Sequence, residues 1–119
     1  MALKLGNKDT RTVKIDAKEP GDLDKTTAYS FTAEFKILST DTWRAELGQK
    51  DRLMIDAMLD NLVNIDGLVD EDGKPLSFCE EVKTAILDAR WLHQPLIDAF
   101  IAVQGGMTMK EYQAAKLKN

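Results

Sequence analysis

Apolar and polar residues alternate with period two over residues 11–16 and again over 28–38, where Tyr29, Phe31, Ala33, Phe35 and Ile37 fall on one face. Two is the period of an extended chain, so the two segments predict a half-buried antiparallel strand pair. Residues 17–27 between them hold Pro20-Gly21 and mixed charges, which predicts a long exposed hairpin loop.

Beyond Leu38 the spacing turns helical. Ser39, Thr40 and Asp41 are cap candidates for a first helix that carries Trp43 and Leu47 and stops at Gly48. A second helix is expected from about Gln49, with Met54, Ile55, Met58, Leu59, Leu62 and Val63 as its apolar stripe and Asp51, Arg52, Asp56 and Asp60 on the opposite side. Residues 64–76 combine two glycines, a proline and four acids, the composition of a structured turn. Ser77 and Glu80 have the spacing of a capping box, opening a helix that buries Phe78, Val82, Ala85, Ile86 and Ala89. Pro95 suits the first turn of the next helix, whose face of Leu96, Ile97, Phe100, Ile101 and Val103 ends at Gly105-Gly106. Thr108 and Glu111 form a second capping-box pair, ahead of a short last helix carrying Lys110, Lys116 and Lys118. The pattern predicts one α+β domain over residues 1–119: an N-terminal antiparallel β-hairpin (about 11–38) followed by a bundle of four to five α-helices (about 39–117).

Composition narrows the function. The 119 residues suit a single core, and a net charge of −4 argues against a phosphate backbone as partner. The acidity is concentrated in the middle: residues 39–104 carry 6 basic and 13 acidic groups, a balance of −7 that reads first as a solvated face and second as a field steering a basic partner. Cys79 is the only cysteine, which excludes an intrachain disulfide and points to a reducing compartment. No apolar run has signal-peptide length or the roughly 20 residues that span a bilayer, so a membrane association is not expected.

The candidate chemistry is thin. Asp70, Asp72 and Gly73 match positions 3, 5 and 6 of a calcium loop, but Leu68 and Cys79 then occupy positions 1 and 12, where carboxylates are needed. His93, the sole histidine, follows Cys79 by fourteen positions without an oxyanion-hole motif. The acid pairs lie in polar stretches that would not separate their pKa values. No catalytic residue, cofactor or metal is therefore expected. What remains is apolar surface in which Trp and Met figure, residue types suited to binding another protein.

The order of segments adds a resemblance. Residues 31–38 (Phe-Thr-Ala-Glu-Phe-Lys-Ile-Leu), 62–78 (Leu-Val-Asn-Ile-Asp-Gly-Leu-Val-Asp-Glu-Asp-Gly-Lys-Pro-Leu-Ser-Phe) and 96–100 (Leu-Ile-Asp-Ala-Phe) together resemble the tail assembly chaperones of long-tailed bacteriophages, over roughly residues 11–104. The sharpest element is 67–78, similar to a pattern in that family of glycine, paired aspartates, Asp-Gly, proline and phenylalanine; the chain departs from it at Asn64-Ile65-Asp66, where a Trp and an acidic residue are usual. The resemblance implies a phage or prophage protein of the bacterial host cytoplasm, absent from the mature virion. Such a protein binds the tape measure protein, keeps it soluble and helps recruit tail tube subunits, with self-association left open. The expected contact residues are Trp91, Leu92, Leu96 and Phe100, with Trp43 and Met58 as secondary candidates. The alternatives are a small structural tail component retained in the virion and, less favoured, a calcium-binding or enzymatic regulator.

Overall fold

The computed structural model describes residues 9–50 and 52–117. Strands β1 (Thr10–Pro20) and β2 (Thr26–Lys36) pair antiparallel without interruption, from Thr10 opposite Lys36 to Pro20 opposite Thr26. The expected loop 17–27 shrinks to residues 21–25, because Ala17 continues the buried row begun by Val13 and Ile15 and so keeps the strand extended. The Gly21 amide donates to the Lys25 carbonyl at 2.7 Å to close the turn, and Leu23 and Asp24 take φ of 55° and 63°.

A third strand, β3 (Leu62–Asp66), pairs with the far edge of β2, giving a three-stranded antiparallel sheet in the order β1-β2-β3. Leu62 and Val63, expected on a helical stripe, therefore belong to a strand. Leu62 and Ile65 are three positions apart and would face opposite sides of a regular strand. The register shift opposite Glu34 and Phe35 is a bulge that turns both into the core and leaves Val63 partly exposed.

Helices follow the sheet and its buried face, which carries Val13, Ile15, Ala17, Phe31, Ala33 and Phe35, and the chain has the α+β class. In α1 (Thr40–Leu47), Ser39 caps the first turn by accepting the Thr42 amide at 3.2 Å. Helix α2 (Met54–Asp60) starts later than the expected Gln49, and Arg52 precedes it, binding Glu46 of α1 at 2.6 Å and Asp60 at the end of α2. Asp51 and Lys118 lie outside the described residues. The next helix, α3 (Glu80–Asp88), begins three residues after Ser77, so the Ser77–Glu80 capping box does not form; the Cys79 carbonyl accepts the Val82 and Lys83 amides instead. The Leu76 amide is tied back to the Leu68 carbonyl at 2.9 Å and Phe78 packs partly buried against the core, which holds 76–78 extended. A 3-10 turn (Arg90–Leu92) leads into α4 (His93–Gln104), which stops at Gly105-Gly106 as expected, with Gly106 at φ 69°.

Helix α5 (Met109–Leu117) opens on the predicted capping box: the Glu111 amide donates to Thr108 Oγ1 at 3.1 Å and the Thr108 amide to Glu111 Oε1 at 3.2 Å. It is held to α4 through Asp98, a buried carboxylate that accepts from Gln94 Nε2 (2.8 Å), Tyr112 Oη (3.0 Å) and Lys116 Nζ (3.3 Å). Burial, then the hydrogen bond to Asp98, raises the Tyr112 phenol pKa and keeps it a donor.

The core sits between sheet and helices, with Phe35 against Phe100 (ring centroids 5.8 Å) and Trp43 edge-on to Phe100 (5.5 Å). Where β2 leaves the sheet, Gln104 bonds both flanking peptide groups, accepting from the Leu38 amide (2.8 Å) and donating to the Lys36 carbonyl (2.7 Å). Among the described residues no buried side-chain polar atom lacks a partner, and no helix is long and apolar enough to cross a membrane.

Candidate functional site

The six residues singled out for partner contact separate into two groups. Met58, Leu96 and Phe100 have no exposed surface, and Leu92 is 5% exposed. Met58, Leu96 and Phe100 are core, so the expectation that they form a contact face is corrected, while Leu92 reaches the surface only as part of a groove floor: an apolar stripe at helical spacing packs on the sheet before it can meet a partner. Trp43 is partly buried and covers the edge of Phe100. Trp91 is also half-buried, but it lines an open groove.

That groove, about 420 Å³, lies between the turn end of the β-hairpin, the segment following β3, and α3 with the 3-10 turn. Its floor is Val82, Ile86 and Leu92, whose apolar faces are shared with the core. On one wall Tyr29 leans on Trp91, ring centroids 5.5 Å apart and planes inclined by 35°. Sequence pattern placed Tyr29 in the buried row of β2; opposite the buried Ala17 it stands at the rim of the core instead and is 42% exposed. Its hydroxyl donates to Glu19 Oε1 at 3.3 Å, and the charge of Glu19, with lesser help from burial and the hydrogen bond, raises the phenol pKa.

The opposite wall is the segment following β3. Gly67, at φ 99°, turns the chain against β2, and an added Cβ would lie 3.2 Å from Phe31 Cβ. Beyond it the chain folds back on itself: Val69 bridges to Pro75, the Asp70 amide donates to the Lys74 carbonyl (2.8 Å), and Asp70 Oδ1 accepts the amides of Asp72 (2.9 Å) and Lys74 (3.0 Å). Asp70, the first acid of the calcium-like run, thus serves as the acceptor that shapes a turn. The turn presents Val69, 55% exposed, and Leu76, 37% exposed, to the groove. Sequence reasoning read this stretch as a turn and missed its apolar wall; the signal was Leu68, Val69 and Leu76 flanking the polar tip.

The charged residues lining the groove are Glu19, Asp70 and Glu71, all acidic. The arrangement, an apolar trough with an acidic rim, can bury one apolar face of a segment and attract bases beside it.

The remaining chemical candidates have local roles. His93 Nε2 lies 3.1 Å from the Ile86 carbonyl and 2.9 Å from that of Leu87, so as a donor it caps the C-terminal end of α3. Cys79 is exposed at the start of that helix. The described residues hold no group of three or more His, Cys, Asp or Glu side chains placed to bind a metal ion.

Comparison with protein-family models, curated proteins and solved structures found no match for this chain.

Proposed function

We propose that this protein is a non-catalytic assembly chaperone that holds an amphipathic helical segment of a larger client in the groove between the β-hairpin and α3. The resemblance of residues 31–38, 62–78 and 96–100 to tail assembly chaperones makes the client a phage tape measure protein, a long helical chain whose apolar faces need cover until the tail tube is built around it. The observation that carries the reading is the groove itself: Tyr29, Val69, Leu76 and Trp91 line one open apolar trough beside the core. A large apolar patch kept open costs solubility, which a domain tolerates where a partner uses it. The acidic rim suits a client helix bearing lysine or arginine next to its apolar stripe.

The test is co-expression with the tape measure protein encoded by the same phage or prophage, followed by affinity capture through this chain. A client that is soluble and captured only in its presence is the expected result. Val69→Glu and Leu76→Glu, which place a charge on the apolar wall at exposed positions, should abolish capture while leaving the thermal midpoint within a few degrees of the parent. If the client stays insoluble and uncaptured, the reading fails. Recovery of the chain from purified particles would then favour the structural-component alternative.

A further inference from the structure

The sheet has an open edge. β1 is its first strand, and its outer side forms no hydrogen bond with any described residue. The direction of each peptide group follows from the register. The Ile37 amide donates to the Asp9 carbonyl, so odd-numbered residues of β1 turn their peptide groups toward β2; the Lys36 amide donates to the Asn61 carbonyl on the other side of β2, as the same alternation requires. The amides and carbonyls of Thr12, Lys14, Asp16 and Lys18 consequently face outward along a strand of 11 residues with no bulge in its pairing to β2. Proteins ordinarily protect such an edge with short strands, bulges, proline or charged side chains, lysine above all. Here the charges alternate in sign, and the alternation is self-complementary.

We infer that β1 is the interface for a second copy of this chain, paired antiparallel edge to edge about a two-fold axis at Ile15. In this register Lys14 faces Asp16 of the second copy, and the symmetry makes the pair twice. Thr12 faces Lys18, while on the helix-bearing side Val13 faces Ala17 and Arg11 faces Glu19. Every outward peptide group from Thr12 to Lys18 meets a counterpart. The neighbouring symmetric registers fail on charge: centred on Lys14 the two lysines meet, and centred on Asp16 the two aspartates meet while Lys14 faces Lys18. A register centred on Ala17 would set Asp16 against Lys18 but put Ile15 opposite Glu19 and leave Arg11 to Val13 unpaired. Asp16 already accepts from Ser30 Oγ on its own sheet, which holds the carboxylate on the exposed face where Lys14 of the second copy arrives. The two Lys14–Asp16 pairs lie nearest the axis and carry the register. The assembly is a continuous six-stranded sheet, an isologous contact.

Sedimentation equilibrium on the full chain tests this. The parent protein should dimerise with concentration. Lys14→Asp and Asp16→Lys should each raise the dimer dissociation constant about tenfold, since each replaces two attractive cross-strand pairs by two repulsive ones. An equimolar mixture of the two variants should restore association as a heterodimer, and the double variant K14D/D16K should recover the parent value. Lys18→Asp, opposite Thr12, should change it little. Circular dichroism checks that each variant is folded. A parent chain that is monomeric at every accessible concentration overturns the inference. So does a dimer indifferent to Lys14→Asp, a mixture that fails to associate, or a Lys18→Asp variant that dissociates as readily as Lys14→Asp.

Discussion

Gly67 and Gly73 both hold positive φ, 99° and 80°, yet their surroundings differ. A Cβ on Gly67 would press on Phe31 at 3.2 Å from its Cβ and 3.3 Å from its Cα, whereas nothing lies within 4 Å of one on Gly73. Gly67→Ala therefore combines backbone strain with a collision against a buried strand, and should cost about 2 to 3 kcal/mol; Gly73→Ala carries the strain alone, about 1 kcal/mol. Urea denaturation of the two variants checks the difference, and equal losses would mean that contact with Phe31 is not what fixes Gly67. At this scale the sequence made both residues legible as chain-reversing glycines, because the requirement for positive φ is local. It could not rank them, since the obstacle is Phe31, thirty-six positions earlier. The same limit applies to Gln104, whose side chain bonds Leu38 and Lys36 across the sequence, and to Asp98, whose partners Tyr112 and Lys116 lie on the next helix. Each is an ordinary polar residue until the fold brings its partners to it.

Two capping boxes were legible at the level of elements, and one exists. Thr108–Glu111 forms because nothing competes for the chain between Gly106 and Met109. Ser77–Glu80 fails because residues 68–76 fold back on themselves and hold Ser77 outside the helix. The strand β3 was hidden for a related reason. Met58, Leu59, Leu62 and Val63 continue one helical stripe, and only pairing with β2, together with the bulge that turns Leu62 and Ile65 to the same side, makes 62–66 extended. The capping box that does form predicts a pH dependence. The Thr108 amide, then the Thr108 side chain, lowers the Glu111 pKa, with a smaller contribution from Arg11. A carboxyl with a lowered folded pKa binds fewer protons folded than unfolded, so its contribution is complete above the ordinary glutamate value, about 4.3, and is lost as pH falls from there through the lowered folded value. Glu111→Gln removes that titration while keeping an acceptor at the same position. The stability difference between parent and variant should be constant from pH 7 to about 5 and should shift against the parent below that; a difference independent of pH down to 3 would remove the charge from the account of the cap.

Over the whole molecule, the sequence pattern singled out Trp91, which lines the groove, and gave most of the other candidates the wrong exposure. Trp91 and the floor residue Leu92 lie on the groove, while Leu96, Phe100 and Met58 are buried in the core. Periodicity marks which residues leave water and does not say whether the sheet or a partner covers them. The missing wall, Val69 and Leu76, comes from a loop that the helical spacing never included. Support and contact can be separated by experiment, because they predict different pairings of lost binding with lost stability. Phe100 packs against both Phe35 and Trp43 with no exposed surface, so Phe100→Ala opens a cavity at the centre of the core and should cost about 3 to 5 kcal/mol. Against a total stability of roughly 5 to 15 kcal/mol for a small domain, that is a large share, and the thermal midpoint should drop by more than ten degrees. Any loss of client capture by this variant would then follow from unfolding and should be recovered at low temperature. Capture lost through Leu76→Glu should not be recovered by cooling, because its fold is intact and the apolar wall itself has been changed. Calorimetry with capture at two temperatures distinguishes the two. If Phe100→Ala were as stable as the parent and still unable to bind, Phe100 would belong to a contact face exposed in another conformation, and the division into support and contact would be wrong.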